Sequence, residues 1–238
     1  MTLELVDTRF GRIGYPKTVE HTESDLPDRW DNAWKRRDAY NTDFYIEQTH
    51  KQFTYTLNSQ GYREQEWNAI DWNNSYIFLG CSHTFGVGVS NEETIPKIMQ
   101  RNLGKYCINL GIPGGCNAFS MFNSSKLINY GICPKGIFFQ RTYNNRWFDI
   151  KNNKLFPFNA KEKNYSKYFK NADYIDFLDN NIKDTILSQW KDVCPVIEFT
   201  VDNMIDHCYD KKYIARDGAH FNFNYFEQIS NQLIKDIK

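Results

Sequence analysis

Short apolar runs alternate with helix-like segments from residue 75 onward, and this alternation constrains the fold more than any other feature of the sequence. Four runs have the length and composition of buried strands, at residues 76–79, 106–108, 136–139 and 196–199. Apolar strands separated by helices predict a parallel sheet that is covered on both faces. We therefore expect the α/β class, as a three-layer α/β/α sandwich with a mainly parallel sheet of four or five strands.

The segments between these runs carry apolar residues at helical spacing. They predict helices at residues 91–102, 117–130, 174–190 and 221–237, with Asn91 as the N-cap of the first. A further run at residues 53–57 alternates between polar and apolar side chains, which predicts a short strand before the main sheet.

The polarity of the chain divides it into an extension and a main domain. Residues 1–70 are polar and irregular, with tryptophans scattered among charges, and we expect them to pack on the domain formed by residues 71–238. Within that domain, residues 141–170 read as an insertion. The pair Asn152–Asn153 lies between two aromatic-rich stretches there, as in a hairpin turn.

Composition excludes several classes of partner. The 238 residues carry 29 basic and 29 acidic side chains, a formal net charge of zero that argues against a general nucleic-acid binder. No apolar stretch has the length of a membrane span, and the N-terminal residues lack a signal-peptide pattern. We expect a cytoplasmic protein, or part of a particle assembled in a cytosol. The six cysteines form no C-x-x-C pair, which predicts reduced thiols and no metal site.

The loop after the first predicted strand has the composition of a functional turn. It runs from Gly80 to Gly88 and contains Ser82. In parallel sheets, functional residues collect at the carboxyl ends of strands. The glycine and lysine spacings of nucleotide-binding loops are not met, and Thr84 occupies the second glycine position of an α/β-hydrolase elbow. A tight structural turn remains the alternative for this loop taken alone.

Two further stretches complete a possible hydrolytic site. A glycine-rich loop that contains Gly114 follows the second predicted strand, where backbone N–H groups can face an oxyanion. Asp217 stands three residues before His220, just ahead of the last predicted helix. A carboxylate at this spacing can bond the imidazole and fix its tautomer, as a catalytic triad requires.

These blocks resemble the SGNH or GDSL-type esterases and lipases, over roughly residues 53–238. The first block is Gly80-Cys81-Ser82, the second is Asn109-x-Gly111-x-x-Gly114, and the last is Asp217-x-x-His220. The resemblance implies the flavodoxin-like fold of that family. It also implies a Ser82 nucleophile with His220 as base and Asp217 as orienting acid, and no metal or other cofactor.

The resemblance departs from the family pattern at two places. Cys81 replaces the usual acidic residue, and the third block lacks its glycine. The resemblance implies an oxyanion hole formed by the N–H groups of Ser82 and Gly114 and by an asparagine of the third block. Without the glycine of that block, either Asn144 or Asn145 can be this asparagine. Arg141 is a candidate for binding a carboxylate or phosphate of the substrate, and His83 is a weaker candidate for substrate contact.

The leading functional hypothesis is hydrolysis of small acyl esters through a Ser82 acyl-enzyme. O-acetyl groups on carbohydrate are candidate substrates, so the expected partner is a small-molecule or glycan ester, with no nucleic acid and no membrane. Two alternatives stay open. One is a non-catalytic glycan-binding or structural module on the same fold, and the other is an acyltransferase that uses the same serine.

Overall fold

A computed structural model describes residues 3–6, 17–22, 25–36, 40–144, 146–151, 154–159, 172–200 and 211–237. The strands are β1 (Thr18–Val19), β2 (Tyr55–Thr56), β3 (Tyr76–Gly80), β4 (Cys107–Gly111), β5 (Gly136–Arg141), β6 (Arg146–Lys151), β7 (Lys154–Asn159) and β8 (Val196–Thr200). The α-helices are α1 (Pro27–Lys35), α2 (Asp43–Thr49), α3 (Ser82–Phe85), α4 (Ile95–Leu103), α5 (Asn117–Asn129), α6 (Ala172–Trp190) and α7 (Phe223–Ile237). Short 3₁₀ helices span Trp67–Ala69, Trp72–Asn74, Asn91–Glu93 and Lys211–Tyr213.

Four parallel strands form the main sheet, in the order β4-β3-β5-β8. The chain leaves β3 toward β4 on one side and then returns to β5 on the other, which is the strand order of flavodoxin-like folds. The expected α/β/α fold class is thereby confirmed. In such sheets, ligands bind where the direction of winding reverses, which here is the crevice at the carboxyl ends of β3 and β5.

Helices cover both faces of this sheet because successive strand residues point to opposite sides. Ile77 and Leu79 pack with residues of α5 and α6 in one buried cluster. Phe78 and Phe138 pack with residues of α4 and α7 in another, and their rings stack with centroids 4.4 Å apart. Strands buried on both faces explain why these segments read as continuous apolar runs.

Several predicted boundaries differ from the structure. Helix α4 begins at Ile95 because Ser90 and Glu93 form a capping box around a separate 3₁₀ turn, so the predicted N-cap at Asn91 was wrong. Helix α7 begins at Phe223 rather than at residue 221, since Phe221 pairs with Ile214 in an isolated β-bridge.

The remaining strands form small antiparallel pairs. The strand predicted at residues 53–57 is reduced to β2, which pairs with β1. Strands β6 and β7 pair over six residues each, as the predicted hairpin in the insertion requires. The predicted turn residues Asn152 and Asn153, and the rest of the insertion at 160–170, lie outside the described residues.

Residues before position 70 are more regular than their sequence indicated, since they contain α1 and α2. Trp34 of α1 is fully buried, and its Nε1–H donates to the carbonyl oxygen of Arg216, 3.1 Å away. Tyr55 and Leu57 are also buried and pack against Phe85. This N-terminal segment therefore contacts the two stretches that carry Ser82 and His220.

Candidate active site

Ser82 begins helix α3, directly after the carboxyl end of β3. Close packing of this helix on the sheet requires glycine at two paired strand positions. A Cβ atom on Gly80 would lie 2.3 Å from Thr84 Oγ1, and one on Gly111 would lie 2.2 Å from the backbone nitrogen of Phe85. The glycines of the first two sequence blocks thus allow α3 to sit against the strand ends.

A buried amide side chain and a buried guanidinium hold the Ser82 loop. Gln140 Oε1, at the end of β5, accepts hydrogen bonds from Thr84 Oγ1 at 2.5 Å and from Thr84 N at 3.1 Å. Arg63 donates to the carbonyl oxygens of Gly86 at 2.7 Å and Val89 at 3.0 Å. The sequence predicted no such role for either residue, because a contact between a buried side chain and a distant loop leaves no pattern of spacing.

A tight turn carries Asp217 and His220. Its ends are joined by a hydrogen bond from Ala215 N to the carbonyl oxygen of His220, at 2.9 Å. Inside the turn, Asp217 Oδ1 accepts the backbone N–H groups of Ala219 at 3.0 Å and His220 at 2.9 Å. The carboxylate is therefore fixed by its own turn, and its second oxygen is left to face the imidazole.

Three side chains from the two segments meet in one hydrogen-bonded chain. His220 Nε2 lies 2.8 Å from Ser82 Oγ, and His220 Nδ1 lies 2.5 Å from Asp217 Oδ2. Ser82 and Asp217 are buried, and the His220 side chain is 13% exposed. If Nδ1–H donates to Asp217, the Nε2 lone pair faces the serine hydroxyl, which is the tautomer that a general base needs.

Two adjacent histidines have opposite pKa shifts. Burial on its own would lower the pKa of His220, but the charge of Asp217 and its hydrogen bond outweigh burial and raise that pKa. Burial, with His220 and Arg146 nearby, lowers the pKa of His83 well below its usual value. The ring centroids of the two histidines are 4.9 Å apart. Within the described residues, His83 Nδ1 has no hydrogen-bond partner.

Cys81, the residue before Ser82, is fully buried and faces Gln140. Gln140 Nε2 donates to its sulfur at 3.2 Å, and Ser82 Oγ lies 3.9 Å from that sulfur. Burial alone would raise the pKa of this thiol, but the charge of Arg146 and hydrogen bonds from Thr142, from the His83 backbone and from Gln140 together outweigh burial and lower the pKa. Arg146 thus influences the site electrostatically from the start of the hairpin, a role that the sequence did not indicate.

The candidate oxyanion donors have different surroundings. Ser82 N–H opens α3 and so lacks an intrahelical acceptor. Gly114 lies in the loop after β4 with a positive φ of 72°. Asn144 is exposed, and its amide donates to Asp176 of α6. Asn145 lies outside the described residues.

Arg141, the candidate for binding a substrate anion, already has protein partners. Its Nε donates to Asp179 Oδ2 at 2.8 Å, and its Nη2 donates to Asn180 Oδ1 at 2.8 Å. Its Nη1 lies 3.5 Å from Glu198 Oε1. Two carboxylates therefore neutralise this guanidinium, and a substrate anion would have to compete with them.

Other classes of site find no support in the part of the chain that the structure describes. No group of three or more His, Cys, Asp or Glu side chains is arranged there to hold a metal ion. Among the same residues, no helix combines the length and the apolar character that crossing a membrane requires. Five cysteines are free in this part, Cys81, Cys107, Cys116, Cys133 and Cys194.

Comparison with known proteins finds similarity only among solved structures. No protein-family model and no curated protein matches the chain. A protein described as lipolytic and of the G-D-S-L family, from Desulfitobacterium hafniense DCB-2, is 10% identical over 68% of this chain and 98% of its own, with a TM-score of 0.38. The lipase/acylhydrolase from Enterococcus faecalis is 13% identical over 69% of this chain and 95% of its own, with a TM-score of 0.36. Neither similarity is close enough to assign an activity.

Proposed function

We propose that the protein is a serine hydrolase that cleaves small acyl esters, with Ser82 as nucleophile, His220 as general base and Asp217 as the orienting acid. One observation carries the proposal. A serine hydroxyl, an imidazole and a carboxylate form a continuous hydrogen-bonded chain, with 2.8 Å and 2.5 Å contacts, in the crevice outside the carboxyl ends of parallel strands.

The proposed reaction proceeds through a covalent intermediate. Ser82 Oγ bonds to the carbonyl carbon while its proton passes to His220 Nε2. The bond from that carbon to the ester oxygen then breaks, and His220 returns the proton to the leaving alcohol. Water next attacks the acyl-serine and gives a proton to Nε2. The carbon–Oγ bond breaks, Oγ regains the proton, and the carboxylic acid leaves.

Charge develops on two groups during this reaction, and the surroundings fit both. The buried Asp217 carboxylate stabilises the imidazolium that forms on His220, consistent with the raised pKa of that histidine. The N–H groups of Ser82 and Gly114 are the donors that we propose for the oxyanion, with Asn144 or Asn145 as a third. Neutral His83 can contact the substrate beside the serine without opposing the imidazolium with a second positive charge.

The substrate class follows from the resemblance and from the composition of the insertion. We propose short acyl groups, including O-acetyl groups on carbohydrate, because the hairpin sequence next to the site is rich in aromatic residues that can stack on sugar rings. An alcohol in place of water in the second step would make the protein an acyltransferase with the same intermediate.

A second candidate function is a non-catalytic binding module on this fold. The observation that favours it is the amide of Asn144, which donates to Asp176 on the surface. A hydrolase that lacks a third oxyanion donor loses much of its stabilisation of the tetrahedral intermediate, since one donor contributes on the order of 10²–10³ in kcat.

Labelling with a fluorophosphonate probe separates the two functions. Such probes react with activated serines, so we expect the wild type to be labelled, with the adduct located on the Ser82 peptide by mass spectrometry. Ser82→Ala should abolish labelling and the hydrolysis of p-nitrophenyl acetate. Ser188→Ala is the matched control, because Ser188 is an exposed serine on α6, and it should behave as the wild type.

Three outcomes would contradict the proposed hydrolase. Labelling that persists in Ser82→Ala would place the reactive group elsewhere. A folded wild type that is neither labelled nor active on any short-chain aryl ester would favour the binding module. Transfer of the acetyl group to an added alcohol faster than to water would favour the acyltransferase.

A further inference from the structure

A buried ion pair joins the N-terminal segment to the turn that carries Asp217. Arg216 Nη2 lies 2.5 Å from Asp25 Oδ2, and Arg216 Nε donates to Asp25 Oδ1 at 3.2 Å. The two side chains are 2% and 0% exposed. A two-pronged contact of this kind fixes the orientation of the guanidinium as well as its position.

Other groups of the N-terminal segment complete the surroundings of Arg216. Its Nη1 donates to the carbonyl oxygen of Lys51 at 3.1 Å, and its Nη2 donates to that of Glu20 at 3.0 Å. The guanidinium carbon lies 3.7 Å from the ring centroid of Phe53. A side chain with this many partners holds its own backbone in place, and that backbone continues directly into Asp217.

Tyr55 connects the same carboxylate to the Ser82 side of the site. Its hydroxyl donates to Asp25 Oδ2 at 2.6 Å and accepts the N–H of Gly88 at 2.8 Å. Gly88 in turn accepts the backbone N–H of Arg216, at 3.3 Å. The contacts form a closed ring that ties the loop after α3 to the turn after Ala215.

This ring lies against the acid of the proposed triad. A Cβ atom on Gly88 would be 3.2 Å from Asp217 Oδ1, so the loop and the carboxylate are in close contact. Trp34 Nε1–H also donates to the carbonyl oxygen of Arg216, 3.1 Å away. A shift of Arg216 therefore moves Asp217 relative to Ser82.

From this arrangement we infer that Asp25 and Arg216 are positioning residues, which hold the Asp217–His220 turn at the distance from Ser82 that the proposed hydrolysis requires. The inference rests on the proposed function. It gives the N-terminal segment a part in the site, because that segment supplies the carboxylate of the ion pair and the hydroxyl of Tyr55.

Asp25→Asn tests the inference in the intact 238-residue chain. The substitution keeps the shape of the side chain and removes the charge that fixes Arg216. We expect kcat for p-nitrophenyl acetate to fall by about 10- to 100-fold with little change in KM, as for a small misplacement of catalytic groups. Glu66→Gln is the matched control, because Glu66 forms an exposed ion pair with Lys17 in the same segment.

The titration of His220 provides a readout that does not depend on turnover. The charged and titratable groups that act on His220 include Asp217, Cys81, Arg146 and His83. Nuclear magnetic resonance of ¹⁵N-labelled histidine resolves the five rings, and His220→Gln assigns the one of interest. Arg216 is the chain neighbour of Asp217, so loss of the ion pair should displace Asp217 more than His220. That displacement weakens the Asp217–His220 contact, which raises the pKa of His220, so the pKa should fall in Asp25→Asn. Glu66→Gln should leave it unchanged.

The two proposals fail in distinguishable ways. A wild type without esterase activity would remove the proposed hydrolysis, while the histidine titration would still test the ion pair. A folded Asp25→Asn with the kcat and the His220 pKa of Glu66→Gln would overturn the inference. If Asp25→Asn does not fold, Tyr55→Phe takes its place, since it deletes only the hydroxyl between Asp25 and Gly88. It should shift both quantities in the same direction by less, and an unchanged His220 titration would overturn the inference.

Discussion

The polar side chains on the two sides of the candidate site point in different directions. On one side, Ser82 and His220, which are 138 residues apart in sequence, point at each other. On the other side, Arg141 and Asn144 point at the neighbouring helix α6, through Asp179 and Asp176. Polar residues at the carboxyl end of a parallel strand are therefore not sufficient evidence of chemistry. Convergence of side chains from distant segments is the stronger sign.

The second side has a packing role that its sequence did not reveal. Asn117, at the start of α5, accepts the N–H of Thr142 at 2.8 Å and donates to Asp179 at 2.6 Å. Together with Arg141, these contacts attach the end of β5 to both helices on one face of the sheet. A segment held in this way fixes the start of the hairpin at Arg146, whose charge acts on His83 and Cys81.

The largest effect is expected from His220→Ala compared with Arg141→Ala. Removal of the imidazole leaves Ser82 without a proton acceptor, so kcat for p-nitrophenyl acetate should fall by on the order of 10⁴-fold or more. Arg141→Ala removes a guanidinium that is already paired with carboxylates, so it should affect stability more than kcat. Steady-state kinetics of both variants measure kcat, and thermal unfolding measures their stability.

The comparison would collapse if the two variants lost similar activity while both stayed folded. That result would mean that Arg141 leaves Asp179 to bind the substrate. Asp217→Asn extends the test on the first side. It should also lower kcat strongly, because an asparagine at this position favours the wrong imidazole tautomer.

The two sides of the candidate site were not equally predictable from the sequence, and the difference has a physical cause. The Asp217–His220 contact is local, because the two residues are only three positions apart and the carboxylate bonds the backbone of its own turn, so the motif alone indicates the contact. The strands were also predictable, because burial on both faces leaves an apolar run. The polar end of β5 was not, since Gln140 and Arg141 continue to pair with β8 despite their polarity.

Contacts between distant segments could not be predicted from the sequence. Asp25 and Arg216 are 191 residues apart, and no spacing rule joins them. The N-terminal segment that contains Asp25 looked irregular in sequence because its helices, α1 and α2, are short and expose polar residues. Only Trp30 and Trp34, four residues apart in α1, hinted at a helix with one buried edge.

A smaller effect is expected at Asn144. Its amide is exposed and bonded to Asp176, and such surface pairs are worth little, so Asn144→Ala should change kcat by less than about fivefold. Asp176→Asn is the control, because it weakens the bond without removing the amide. A loss of about 10²–10³ in Asn144→Ala would instead show that the amide turns to the oxyanion, and the two sides would then form one site.

The smallest effect concerns the neighbouring histidines, and it tests the electrostatic link between the two sides. The folded state lowers the pKa of His83, so the unfolded chain binds a proton first as the pH falls. The unfolded histidine has its ordinary pKa of about 6.5, so the contribution of His83 to the free energy of unfolding is fully present above that pH. Below it, the free energy of unfolding decreases by about 1.4 kcal/mol per pH unit for as long as folded His83 stays neutral. His83→Gln should remove this dependence, which urea unfolding at pH 7 and pH 5.5 can measure.

His220 provides the opposite case and so the control. Its folded pKa is raised, which means that its contribution is fully present below about pH 6.5 and is lost as the pH rises through the folded value. His220→Gln should therefore lower stability more at pH 5.5 than at pH 8. Arg146→Gln should raise the pKa of His83, since one cause of its lowering is the charge of Arg146. If the free energy of unfolding had the same pH dependence in the wild type and in His83→Gln, the pKa of His83 would be the same in the folded and unfolded states. The charge of Arg146 would then have no effect on His83.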